Sequence, residues 1–209
     1  MFSLILSSAI AAAVPPPLVP GGCTAPAAEH MHENGCYLLA EMSAAKLPSL
    51  VYWQIIQFPT RLEAQTEARR HRWSEVVSAH DRIWLLVIGP ANERVDGGVR
   101  KAIAGPMAVP PGDTVSIRFL TSIFPPGMRT RVHSHPGSEA FFVVEGEQCV
   151  ETPTVRHRIK AGRTYVVQGG LHMQAATSGR KSLVALILRP GEIWSQPETG
   201  WKPSSYCDR

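Results

Sequence analysis

The chain is short of charge and of aromatic rings, and each shortage narrows what it can be. Charged residues make up 18% of its 209 positions and aromatics 7%, against 44% hydrophobic. That balance excludes a disordered chain and suits a globular one with a sizeable core. The length holds one or two small domains. The positive excess is small, at +4, and basic residues cluster only once, in Arg69-Arg70-His71-Arg72. Acidic Glu63 and Glu67 lie just upstream and no aromatics alternate with the cluster. It reads as a solvated helix end, and no nucleic-acid partner is expected.

A long apolar run is also missing. Pro15-Pro16-Pro17 stops MFSLILSSAIAAAV too early for a membrane span. Residues 1–27 read instead as a candidate signal peptide, with Ala25-Pro26-Ala27 as one cleavage site, although no Lys or Arg precedes Lys46. An exported protein, periplasmic or secreted, is therefore expected. The alternatives are a disordered extension, or a lipoprotein anchored at Cys23, where Pro20 stands in place of the usual Leu.

Cysteine is scarce: four in all, at 23, 36, 149 and 207. Export would put them in an oxidising compartment. Cys36 opens the mature domain and Cys207 nearly closes it. Domain termini often lie close together, which predicts a Cys36–Cys207 disulfide, with two unpaired buried thiols as the alternative. Cys149 reads as a small buried hydrophobe, or else as a redox thiol or disulfide partner.

What is present divides in two. Residues 35–106 read as a small α+β segment. CYLLAEM, VYWQIIQF, SEVVSAH and RIWLLVIG are strand-like, and Thr60 caps a helix in RLEAQTEARRHRW, with Glu63 at its third position. His80-Asp81 reads as a turn between strands. Residues 107–193 are almost all strand and turn: TVSIRFLTSIF, TRVHSH, EAFFVVEG, RHRIKA, TYVVQ and SLVALILR, punctuated by Pro and Gly. Short strands so spaced indicate a sandwich or barrel. Residues 194–209 lack periodicity and are expected to wrap the outside. No internal repeat is present.

His133 and His135 share one face of a strand, because side chains alternate. Pro136-Gly137-Ser138 turns the chain, so that Glu139 begins the next strand beside them. Two imidazoles and a carboxylate suit Fe(II); a third His admits Mn, Ni or Zn. His172 supplies that third imidazole, with Gly169-Gly170 permitting close approach of the backbone.

Gly127, His133, His135, Glu139 and Gly146 meet every spacing of G-x5-H-x-H-x3-E-x6-G, and the segment resembles the first motif of the cupin superfamily. The second motif, G-x5-P-x-G-x2-H-x3-N, is matched in part. Gly169 and His172 fit, whereas Val167 and Ala176 replace the proline and asparagine, and Gly162 lies one residue too close. The resemblance covers about residues 107–190. It implies a mainly β fold, a double-stranded β-helix or jelly-roll barrel with a metal inside one end. The full chain also resembles uncharacterised exported bacterial cupin-domain proteins.

The implied ligands are His133, His135, Glu139 and His172, and the implied cofactor is a divalent transition metal, with Fe or Mn favoured over Ni or Zn. Parity adds Arg131 as a clamp for a substrate carboxylate, Gln174 beside His172, and Phe141 and Val143 as an apolar wall. The expected function is a metal-dependent, dioxygenase-like oxidoreductase acting on a small organic molecule, with Glu139 as a catalytic base. A non-enzymatic periplasmic module that binds a small ligand through its metal is the alternative. A metal-assisted isomerase or lyase ranks third; Tyr165 is its nearest phenol. A homodimer is possible, unless the N-terminal half covers the barrel edge within one chain.

Overall fold

A computed structural model describes residues 23–192, 195 and 199–208. Most of the candidate signal segment, and Trp194 and residues 196–198 and 209 of the tail, lie outside them. Twelve strands are described: β1 (Gly35–Ala45), β2 (Leu50–Phe58), β3 (Ser74–Ala79), β4 (Arg82–Gly89), β5 (Val99–Ala108), β6 (Thr114–Phe124), β7 (His133–His135), β8 (Glu139–Glu151), β9 (Arg156–Lys160), β10 (Thr164–Val167), β11 (Gly170–Ala175) and β12 (Arg180–Leu188). One α-helix, α1 (Arg61–Ala68), joins β2 to β3. Its N-cap is the expected Thr60, whose hydroxyl accepts the Glu63 N–H at 3.2 Å. His80 and Asp81 form the tight turn from β3 to β4, both with left-handed φ. No helix among the described residues is long and apolar enough to cross a membrane.

The strands make two antiparallel sheets. One follows the order β1-β6-β12-β8-β11-β7, with β9 and β10 also paired to β8; the other follows β3-β4-β2-β5. The expected boundary at residue 35 is thereby corrected. β1 pairs with β6 over Gly35–Ala45 and belongs to the barrel, so the α+β layer begins at β2. β1 covers the edge of β6 within the chain and is itself the end strand of that sheet. β5, which had not been anticipated, carries Pro106 and lies at a sheet edge, where a missing N–H is tolerated.

Alternation explains why the barrel strands read as near-continuous apolar runs. On β6, β8 and β12, one set of side chains (Ile117, Phe119, Ala140, Phe142, Leu183, Ala185) faces the second sheet, and they form one core with Trp53, Ile55, Trp84 and Leu86. The other set (Leu120, Phe141, Val143, Val184) points into the barrel, where it packs with Val150, Ile159 and Val167. A strand buried on both faces loses its polar alternation.

The cysteines pair as Cys23–Cys36 and Cys149–Cys207, which overturns the expected Cys36–Cys207 bridge. The termini are tied to different places on the barrel. Cys149 is thus a disulfide partner, not a lone hydrophobe. Ala25 O accepts the Leu38 N–H at 2.8 Å, and Ala27 is buried in a short 3-10 helix. The candidate cleavage site therefore lies inside the folded domain. At the other end, the buried Glu151 carboxylate accepts N–H groups from Ser204 and Cys207 and the Ser204 hydroxyl. This seats the described part of the tail against the outer face of β8 and β11.

Candidate metal centre

β7 and β11 pair so that His133 stands opposite His172, and His135 opposite Gly170. Glu139 starts β8 across the Pro136-Gly137-Ser138 turn. That turn lies flat against β12: a Cβ on Gly137 would meet the Ile187 carbonyl oxygen at 1.6 Å. Only glycine fits, so the turn that delivers Glu139 is set by sequence as firmly as the ligands are. Gly169 serves the other side. Its φ is +99°, and a Cβ there would come within 2.7 Å of Pro136 O.

The four ligand side chains are buried, and their ligand atoms all lie within 4.8 Å of one another. Each imidazole is oriented by its Nδ1–H, which donates to a main-chain carbonyl. His133 donates to Arg131 O at 2.9 Å, His135 to Gly137 O at 2.8 Å and His172 to Gly170 O at 2.9 Å. A carbonyl accepts and never donates, so this fixes the tautomer and leaves Nε2 as the coordinating atom on all three rings. His135 Nε2 and His172 Nε2 converge on one Glu139 oxygen, at 3.3 and 2.9 Å. Three nitrogen donors and a carboxylate, each held from behind and aimed at one volume, fit a divalent transition metal. A cation there takes the place of the protons that otherwise join the imidazoles to the carboxylate.

The electrostatics follow from burial and from this convergence. Burial pushes His133 down to about 4, and the neighbouring His172 adds to the effect. Burial also acts to lower His135, but its bond to Glu139 outweighs it and the group lies above its ordinary value. Burial would raise Glu139; the hydrogen bonds and charges of His135 and His172 hold it well below the usual carboxylate range instead.

A cavity of about 40 Å³ opens beside the ligands, bounded by Leu120, Val184, Leu186, Phe124 and the Cys23–Cys36 disulfide. Gln174 lines it, with its Nε2 3.4 Å from Glu139 Oε2. Phe141 is fully buried among the interior cluster of the barrel and does not reach the cavity surface. Arg131 is a correction. β7 begins only at His133, so strand parity does not extend back to it; its side chain is exposed, and only its carbonyl serves the site. Tyr165 stacks on His157 with ring centroids 4.7 Å apart and does not line the cavity.

Sequence reasoning missed Arg180, which is 3% exposed and lines the cavity. Its Nη1 donates to Ser122 Oγ and Ser182 Oγ, its Nη2 to Gln174 Oε1, and the guanidinium lies 3.9 Å over the Phe124 ring. The signal was present: Arg180, Ser182, Val184 and Leu186 share the inward face of β12. The strand was read as starting at Ser182, two residues too late.

Residues 120–189 match the family model described as Cupin domain. No curated protein matches the chain by sequence. Among solved structures, a cupin superfamily protein from Desulfitobacterium hafniense is 16% identical, with TM-score 0.32, over 35% of this chain and 67% of that one. An RmlC-like cupin from Shewanella frigidimarina is 23% identical, with TM-score 0.33, over 36% and 68%. The DMSP lyase DddQ from Ruegeria pomeroyi is 18% identical, with TM-score 0.35, over 38% of this chain and only 42% of its own. The family match begins within β6, runs through β12 and contains all four candidate ligand residues, so this part of the chain carries a cupin domain.

Proposed function

We propose that this chain is a metal-dependent, dioxygenase-like oxidoreductase acting on a small organic molecule in the barrel cavity. The observation that carries this reading is the convergence of three Nε2 atoms and one carboxylate at a small, largely apolar cavity. Iron or manganese held there would supply electron transfer between a small substrate and O₂ at its open positions. His133, His135, Glu139 and His172 would hold the ion. Leu120, Val184 and Leu186 exclude water and orient the substrate. Gln174 steadies the Glu139 carboxylate. Glu139 is the sole carboxylate among the described lining residues, so it is the group that would take a substrate proton. Export to an oxidising compartment belongs to the same reading, supported by the pairing of all four cysteines.

The test is metal analysis of purified protein, then oxygen uptake by iron- and manganese-loaded samples with phenolic, diketone and thiol substrates. Uptake is expected for the loaded protein and not for His133→Ala, which should lose its metal. An unchanged metal content in that variant would overturn the ligand assignment.

A non-enzymatic binding module is the second reading. It is favoured by the absence, among the described lining residues, of any carboxylic acid beyond Glu139; the Ser122 and Thr130 hydroxyls there are engaged by Arg180 and the Gln174 N–H. Ligand stabilisation that requires metal, without oxygen uptake, would select it. The isomerase or lyase reading needs a separate proton-transfer group, and Tyr165 is not placed to be one.

A further inference from the structure

We propose that Arg180 anchors a carboxylate of the substrate, and that the cavity therefore takes a short carboxylic acid. This rests on the metal-centred reading above and narrows it to a substrate class. Arg180 is a buried cation whose polar partners are all neutral: Ser122, Ser182 and Gln174. Its Nε–H is buried and has no hydrogen-bond partner among the described residues. No described carboxylate forms an ion pair with it; Glu139 attracts it only at a distance, with Gln174 between them. Burying a charge without a counter-ion is costly. A ligand carboxylate entering the cavity would remove that cost and accept from the unused donors of the planar fork.

Two further observations point the same way. Arg118 also lines the cavity, but Glu41 already matches its charge at 3.0 Å, so it is not the anchor. A divalent ion at the centre would neutralise Glu139 and leave the cavity net positive, with Arg180 as its second pole. A small acid with one oxygen toward the ion and its carboxylate on Arg180 satisfies both poles. Phe124 and the two serines hold the guanidinium in place, so little is lost in ordering it.

The experiment uses the metal-loaded full chain and two isosteric probes, glycolate and its neutral amide glycolamide, with affinities measured by calorimetry. Glycolate is expected to bind at least about tenfold more tightly to the wild type, the gain typical of a charge-assisted pair. Arg180→Gln is expected to abolish that preference while the metal content, assayed on the same samples, stays level. Equal affinities in the wild type, or a preference that survives in Arg180→Gln, would overturn the proposal. If Arg180→Gln does not fold, Arg180→Lys decides. A fall in glycolate affinity with glycolamide unchanged supports the anchor, and no fall overturns it. The metal assay and oxygen uptake report separately on the metal-centred reading, so the two failures are distinguishable.

Discussion

Arg180 and Glu139 are separated by a single carboxamide. Gln174 accepts from Arg180 Nη2 at 3.1 Å through Oε1 and donates to Glu139 Oε2 at 3.4 Å through Nε2. One neutral side chain thus satisfies part of a buried cation and part of a buried anion, and keeps them from collapsing into an ion pair. Replacing it by an apolar residue of similar size should leave both groups under-satisfied. Gln174→Leu is expected to lower stability by about 1–3 kcal/mol in urea denaturation, with metal still bound.

The glycine at 169 should matter more to the site than to the fold. Gly169→Ala puts a Cβ 2.7 Å from Pro136 O and 3.0 Å from His135 O, at a φ of +99°. The added carbon would push the backbone of His135 away from the strand that bears His172. Metal content is expected to fall at least about tenfold, with a stability cost of only about 1–3 kcal/mol. A variant that unfolds outright, or one that keeps full metal, would contradict this.

His71 provides a pH-dependent increment of stability away from the metal. Its Nδ1 and Nε2 lie 2.8 Å from Glu93 and 3.1 Å from Glu67, in a buried position after α1. Burial acts to lower its pKa, but the two carboxylates raise it overall, while Glu67 is held below its usual range by the Asp96 N–H and His71 against burial. A raised histidine stabilises fully below its unfolded pKa, and that gain is lost as pH rises through the folded value. The lowered Glu67 contributes above its unfolded value and loses that contribution as pH falls through the folded one. The stability advantage of wild type over His71→Gln is therefore expected to be greatest just below the ordinary histidine value of about 6.5 and to shrink as pH rises through the raised folded value, read by thermal denaturation at each pH.

The two disulfides should differ in weight. Cys149–Cys207 closes 58 residues and Cys23–Cys36 only 13. Chain entropy assigns about 4 kcal/mol to the first and about 3 to the second. Replacing Cys149 and Cys207 by alanine should cost the larger amount in denaturant titration and leave metal content intact. Removing Cys23–Cys36, which lines the cavity, should cost less stability but alter ligand affinity.

The chain's own spacing was enough for a barrel, for the candidate ligands and for the turn between them. His133, His135 and Glu139 are local: strand parity and one glycine turn bring them together whatever else the chain does. Thr60 and the His80-Asp81 turn were legible for the same reason, since a cap and a hairpin depend on neighbours along the chain. Long-range partners were not. The cysteine pairing turned on where β1 and the tail dock, and nothing local encodes that. Arg131 was misread because a strand three residues long carries no parity beyond its ends. Arg180 was passed over because strand limits are set by ladder partners, here β6 and β8, and not by the apolar run alone. A buried charge is recognisable only once the walls around it are known, so tertiary packing alone placed a cation beside the candidate metal site.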